Sequence, residues 1–211
     1  MRSVAEQLET MARMQEAHNL EVHPEWRQQD YAYYRAIWVE CAELLDHFGW
    51  KWWKQQSRDL AQVQLELVDI WHFGLSDLLR ADAALADVAD ALERLGSPVS
   101  VSDDAAEAFR VAVERLAENS LAQKRFDLAA FLDAMTALPM TATELFELYV
   151  GKNVLNSFRQ RNGYKSGSYR KTWADGREDN EHLIERLRAL DCQPAEVPTA
   201  LMAALEVAYQ R

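Results

Sequence analysis

This sequence has little glycine and less proline, 7 and 5 residues respectively in 211. That scarcity argues against a turn-rich β protein and for long helices. Cysteine is scarcer still. Cys41 and Cys192 are the only two, too few for a disulfide framework, and Cys41 reads as a small packing residue of a helix. No apolar run approaches the length of a membrane span. The N-terminal stretch MRSVAEQLETMARMQ is charged and helical rather than a secretory signal, so a reducing cytoplasm is the expected location. A positive balance is also missing, the formal net charge being −11. Proteins that bind nucleic acid or anionic membranes across their surface are normally basic, so here an anionic ligand must be met by a local patch.

What remains is helical. Apolar residues make up 49% of the chain, a globular proportion, and the length suits one large domain or one domain with a lid. Val4, Leu8, Met11 and Met14 form one stripe of a helix over 3–19. A second helix is expected over 26–48 with Gly49 as its stop, and a third over 59–80. Residues 81–147 hold two or three Ala- and Leu-rich helices, broken at Gly96-Ser97-Pro98 and capped near Ser102-Asp103-Asp104. Beyond Pro139, Thr141 or Thr143 caps a helix over 142–160. A glycine-containing loop over 163–179 and two terminal helices, 180–190 and 198–209, complete the chain. The expected fold is all-α. It is a helical bundle forming one domain over 1–211, with 81–144 as a helical lid or insert.

The chemistry begins with four carboxylates. Glu40-x-x-Glu43 and Glu66-x-x-Asp69 are each spaced i,i+3, with 22 residues between the pairs, so each pair shares one helix face. Either pair alone suits a solvated surface. Here Ile37-Trp38-Val39 and Leu44-Leu45 flank the first pair, and Leu67-Val68 and Ile70-Trp71 flank the second. Buried carboxylates need compensation, and no Lys or Arg lies three or four residues from any of them. A hard divalent cation, Mg²⁺ or Mn²⁺, is the economical partner for an all-oxygen donor set. A di-iron bundle would want Glu-x-x-His on two helices, and only Asp69-x-x-His72 has that spacing. His72 therefore reads as a core or ligand-side residue.

The local basic patch lies at 151–173, which holds Lys152, Arg159, Arg161, Lys165, Arg170 and Lys171 and no acid. Lys152, Asn156 and Arg159 share a helix face at i, i+4, i+7. Arg and Lys suit phosphate oxygens. Phe158, Tyr164, Tyr169 and Trp173 also admit a single-stranded nucleic-acid groove, but the net charge opposes a polyanion and not a mononucleotide. Phosphates shared between cations and a metal site are the simplest joint reading. Trp26, Trp38, Tyr31, Tyr33, Tyr34 and Trp71 read as core or dimer interface.

Together these residues resemble the dimeric all-α dUTPase family, part of the larger group of all-α nucleoside-triphosphate pyrophosphohydrolases that includes MazG-type enzymes. The group's E-x-x-E and E-x-x-D pairs match Glu40, Glu43, Glu66 and Asp69. The dUTPase branch is matched by Gly49-Trp-Lys-Trp-Trp-Lys54, by Asp69-Ile-Trp-His72-Phe73, and by the run from Lys152 through Asn156, Phe158-Arg159-Gln160 and Asn162-Gly-Tyr164-Lys165. Tyr169-x-Lys171-x-Trp173 and Gly176-Arg-Glu-Asp-Asn180 continue it. The resemblance covers about 15–80 and 145–180; 81–144 carries none of it. It implies a homodimer that hydrolyses dUTP and dUDP to dUMP, with a broader MazG-type pyrophosphohydrolase as the alternative. By resemblance, Glu40, Glu43, Glu66 and Asp69 hold Mg²⁺ and Glu43 or Glu40 is the general base. Lys152, Asn156, Arg159, Tyr164, Lys165 and Lys171 contact phosphate or deoxyribose. Gln15, Asn19, Trp53 and His72 shape the uracil pocket.

Overall fold

A computed structural model describes residues 3–95, 103–192 and 196–209. The expected break at Gly96-Ser97-Pro98 and the expected cap at Ser102 lie outside the described residues. The fold is all-α. Its helices are α1 (Val4–Val22), α2 (Tyr33–Phe48), α3 (Leu60–Arg80), α4 (Leu85–Glu93), α5 (Asp103–Gln123), α6 (Leu128–Ala137), α7 (Ala142–Arg161), α8 (Asp179–Ala189) and α9 (Val197–Tyr209). Among the described residues there is no strand, only a single antiparallel bridge between Thr172 and Glu178. Among the described residues no helix is long and apolar enough to cross a membrane. The chain divides into two compact units, Met1–Phe146 and Glu147–Arg211.

The helix ends follow local chemistry. Ser3 and Glu6 form a capping box at α1. Asp59 accepts the Gln62 amide hydrogen to start α3, Asp127 accepts that of Ala130 to start α6, and Thr141 accepts that of Glu144 at α7. Gly49 closes α2 at φ 91°, a left-handed geometry that glycine adopts without strain. The second helix is shorter than its sequence pattern. Trp26–Gln28 form a single 3-10 turn, and α2 begins only at Tyr33. Asp30, at φ 51°, interrupts the helical path. The Trp26 ring is buried, with its Nε1 donating to Glu16 at 3.2 Å, while Arg27 grips the same carboxylate with two bonds of 2.7 Å.

In the first unit α3 is the central element. Val63, Leu65, Leu67, Val68, Ile70, Trp71 and Leu75 are wholly buried on all sides of it, which explains its near-continuous apolar sequence. α2 packs along α3, with α1 also against α3 and α5 against α2. His47 faces Glu66 and bonds Asp59 through its carbonyl, whereas Glu40 faces Asp69, so α2 and α3 run antiparallel. Trp71 stacks on Phe131 at 5.3 Å, and Phe48 meets Phe109 at 4.6 Å. The segment 81–144 thus contributes Phe109, Phe126 and Phe131 to the core of this unit.

In the second unit α8 packs on α9. The loop between α7 and α8 folds Tyr169 and Trp173 against Phe158 and Tyr209. Gly151 faces Leu183 and Leu187, where an added Cβ would stand 3.0 Å from a Leu187 methyl. Glycine is what lets α7 come this close to α8.

Candidate functional site

The i,i+3 pairs of α2 and α3 converge. One carboxylate oxygen from each of Glu40, Glu43 and Glu66 lies within 4.8 Å of the others. Asp69, one turn beyond Glu66, adds its charge at Glu40. The three differ in surroundings. Glu66 is 5% exposed, Glu40 is half-buried, and Glu43 is exposed on the outer side of α2. The sequence expectation of burial all round holds for α3 and not for α2, which presents Trp38, Val39 and Glu43 outward.

Burial pushes the Glu40 carboxyl up to about 9, assisted by the Asp69 charge, a hydrogen bond and charge from Glu66, and the Glu43 charge. Acids crowded in this way oppose one another's ionisation. His47 Nε2 lies 3.6 Å from Glu66 Oε1. His47 stands four residues after Glu43 in the sequence, and only the packing of α3 on α2 brings Glu66 to it. The donor set is all carboxylate and faces one point, which fits a hard divalent cation. Glu40, Glu43 and Glu66 are the residues that could hold it, and Asp69, the fourth expected ligand, lies outside that 4.8 Å group.

A second cluster lies between α1 and α3. Gln15, Asn19, His72 and Ser76 are all buried. Gln15 Nε2 donates to Asn19 Oδ1 at 3.1 Å and to Ser76 Oγ at 3.0 Å. Gln15 Oε1 pairs with His72 Nδ1 at 2.9 Å. Asn19 Nδ2 donates to Ser76 Oγ at 3.0 Å, and Ser76 Oγ donates to the His72 carbonyl at 3.0 Å. The Tyr33 phenol also reaches Ser76. Three of the four expected base-side residues are therefore in direct contact. Trp53 is not among them. It lies in the exposed loop after α2, edge-on to Trp50 at 5.2 Å and Trp52 at 5.4 Å. Ser76 was missed. The available signal was its place four residues after His72 in an otherwise apolar helix.

In the second unit the cations are less free than an acid-free stretch suggests. Lys152 is buried and donates to Asn180 Oδ1 at 3.0 Å. Arg159 grips Asp179 with Nε at 2.8 Å and Nη2 at 2.9 Å, and its Nη1 meets Asn156 Oδ1 at 3.3 Å. Tyr169 donates its phenol to the same Asp179 carboxylate at 2.8 Å. Burial pushes Asp179 up, but the Arg159 bonds and charge, the Tyr169 bond and the Lys152 charge outweigh it and hold the carboxyl below its ordinary value. Burial and the Asp179 contact raise the Tyr169 phenol. The Gly176–Asn180 motif includes Asp179, but only the folded loop makes it the partner of Arg159. Tyr164, Lys165 and Lys171 are exposed, the last 3.6 Å from Glu178.

A family model described as dUTPase matches residues 7–164, which include α2, α3 and the Gln15 cluster. No curated protein matches the chain.

Proposed function

The chain belongs to the all-α dUTPase family and is a dUTP diphosphatase; from that premise we propose a Mg²⁺-dependent homodimer that converts dUTP, and dUDP as well, to dUMP. The observation that carries the metal dependence is the meeting of Glu40, Glu43 and Glu66 within 4.8 Å. A bound Mg²⁺, or Mn²⁺, supplies neutralisation of charge on phosphate oxygens. Glu43 is proposed as the general base. It is the solvent-reached member of the cluster, so it can take a proton from water as the water oxygen bonds to phosphorus and the P–O bridge to the leaving phosphate breaks. Glu40 and Glu66 would hold the metal from the buried side of the site.

Base recognition falls to Gln15, Asn19 and His72, whose polar ends are already ordered by one another. Trp53 would add an aromatic wall from its loop. Lys152, Asn156, Arg159, Tyr164, Lys165 and Lys171 are proposed as phosphate and deoxyribose contacts. Pairing with Asp179 spends the Nε/Nη2 edge of Arg159, so its phosphate role would use the Nη1 side. Exposed Trp38 and Val39 on α2 support a second copy as partner.

The test is a panel of dUTP, dUDP, dCTP, dTTP and dATP with and without Mg²⁺, with phosphate and pyrophosphate quantified. dUTP should yield dUMP and pyrophosphate, dUDP should yield dUMP and phosphate, and chelation should abolish both. Comparable turnover of dCTP and dTTP would favour a MazG-type enzyme of broad specificity. Full activity in chelator would remove the metal role. Light scattering on an eluting column peak reads the dimer.

A further inference from the structure

Uracil and cytosine present opposite patterns to a side-chain amide. Uracil offers an acceptor at O4 beside a donor at N3–H; cytosine offers a donor at N4 beside an acceptor at N3. A primary amide also carries one donor end and one acceptor end of nearly equal size. Turned one way it complements uracil. Turned by 180° it complements cytosine in the same space. An amide chooses between the two bases only if something prevents it from turning.

The Gln15 cluster contains such a device. Ser76 has one hydroxyl hydrogen and two lone pairs. Its hydrogen has a partner that can only accept, the His72 carbonyl at 3.0 Å, closer than Asn19 Oδ1 at 3.3 Å. The lone pairs then face Gln15 and Asn19, whose nitrogens both stand 3.0 Å away. Turning either amide would set its oxygen against a Ser76 lone pair. With the Ser76 hydrogen held by the His72 carbonyl, the Tyr33 phenol can only donate to Ser76, so it shares a lone pair with the amide nitrogens and gives neither amide oxygen a donor. With its Nε2 committed to Ser76 and Asn19, Gln15 must present Oε1 to His72, and the proton of a neutral His72 must sit on Nδ1.

We infer that Ser76 is the positioning residue for base choice: anchored to the His72 carbonyl, its hydroxyl keeps the Gln15 Nε2 hydrogens engaged within the cluster, so Gln15 can offer a base only Oε1, an acceptor that suits uracil N3–H and not cytosine N3, and it fixes the His72 tautomer. Ser76 is 1% exposed and acts only through its neighbours. The inference rests on Gln15 and Asn19 reading the base.

The test compares wild type with Ser76→Ala, Ser76→Cys and Ser76→Thr. Two readouts are used: kcat/KM for dUTP and dCTP, and the ¹⁵N resonances of the His72 ring. Removing the hydroxyl should lower the dUTP-over-dCTP ratio by about tenfold or more, the loss of a hydrogen-bond-enforced selection. The loss should fall mainly on KM for dUTP, and the His72 proton should spread over both ring nitrogens. Ser76→Thr, which keeps the hydroxyl, should restore both. Should Ser76→Ala fail to fold, Ser76→Cys, close in volume and a poor hydrogen-bonding group, gives the same reading. A Ser76→Ala or Ser76→Cys protein that keeps both the ratio and the His72 pattern overturns the inference and leaves the base-pocket assignment intact. Gln15→Ala and Asn19→Ala proteins that keep the ratio overturn the base-pocket assignment, and the inference with it, whatever the His72 signal shows.

Discussion

Metal binding at the carboxylate cluster should release about one proton per site near neutrality. Glu40 sits at about 9 because it is buried beside Asp69, Glu66 and Glu43. At pH 7 that is about two units below its pKa, so about 99 of 100 metal-free molecules hold a proton there. A carboxylate must lose its proton to bind a cation. The apparent affinity for Mg²⁺ or Mn²⁺ should therefore rise about tenfold per pH unit between 7 and 8 and flatten near pH 9. Titration calorimetry at pH 7 in two buffers of different ionisation enthalpy counts the protons. Glu40→Gln should lower the count to near zero and flatten the pH slope. Stability of the metal-free protein follows the same group. Its folded pKa is raised, so its ionisation opposes folding: stability falls as pH rises from the ordinary carboxylate range towards 9, and Glu40→Gln removes that fall. Wild-type protein that binds metal with no proton release, and with an affinity independent of pH from 6.5 to 8, would refute the account of a Glu40 carboxyl kept protonated by burial beside other acids.

Glu43→Gln should cut dUTP turnover by about 10²–10⁴, the usual contribution of a general base, and steady-state kinetics in saturating Mg²⁺ would read it. Asp179→Asn strips Arg159 of its buried partner and should cost about 3–5 kcal/mol in a denaturant melt. Because the folded Asp179 pKa is lowered, its contribution is full above the unfolded value of about 3.9 and is lost as pH falls through the folded one; acid titration of wild type against Asp179→Asn should show that component disappear. Gly74→Ala would set a Cβ 2.7 Å from the Phe126 ring, an overpacking worth about 1–3 kcal/mol, visible as a Tm loss of about 2–4 °C per kcal/mol.

Much of this protein was legible as a string of residues. The helices could be read because each start and stop is a local event: Asp59, Asp127 and Thr141 cap, Gly49 turns left-handed, and apolar residues recur at helical spacing. The meeting of Glu40, Glu43 and Glu66 was legible for the same reason, since i,i+3 pairs must share a face wherever the helix goes. The overlong second helix shows the limit. Asp30 turns left-handed, and Trp26 and Arg27 bond to Glu16 of α1, contacts that no helix template contains.

What only the tertiary structure decided are pairings between distant segments. His47 meets Glu66 because α2 and α3 run antiparallel in one register. Arg159 is held by Asp179, across a loop that folds back on α7. Gln15 and Asn19 find Ser76 and His72 because α1 lies against α3. By itself the sequence determined which helices form, where the oxygen donors point and which family the chain belongs to, because these depend on spacing along one element. Which carboxyl stays protonated, which cation is already paired and which hydroxyl orients the amides depend on desolvation and hydrogen bonds between elements. Those interactions exist only once the helices have packed.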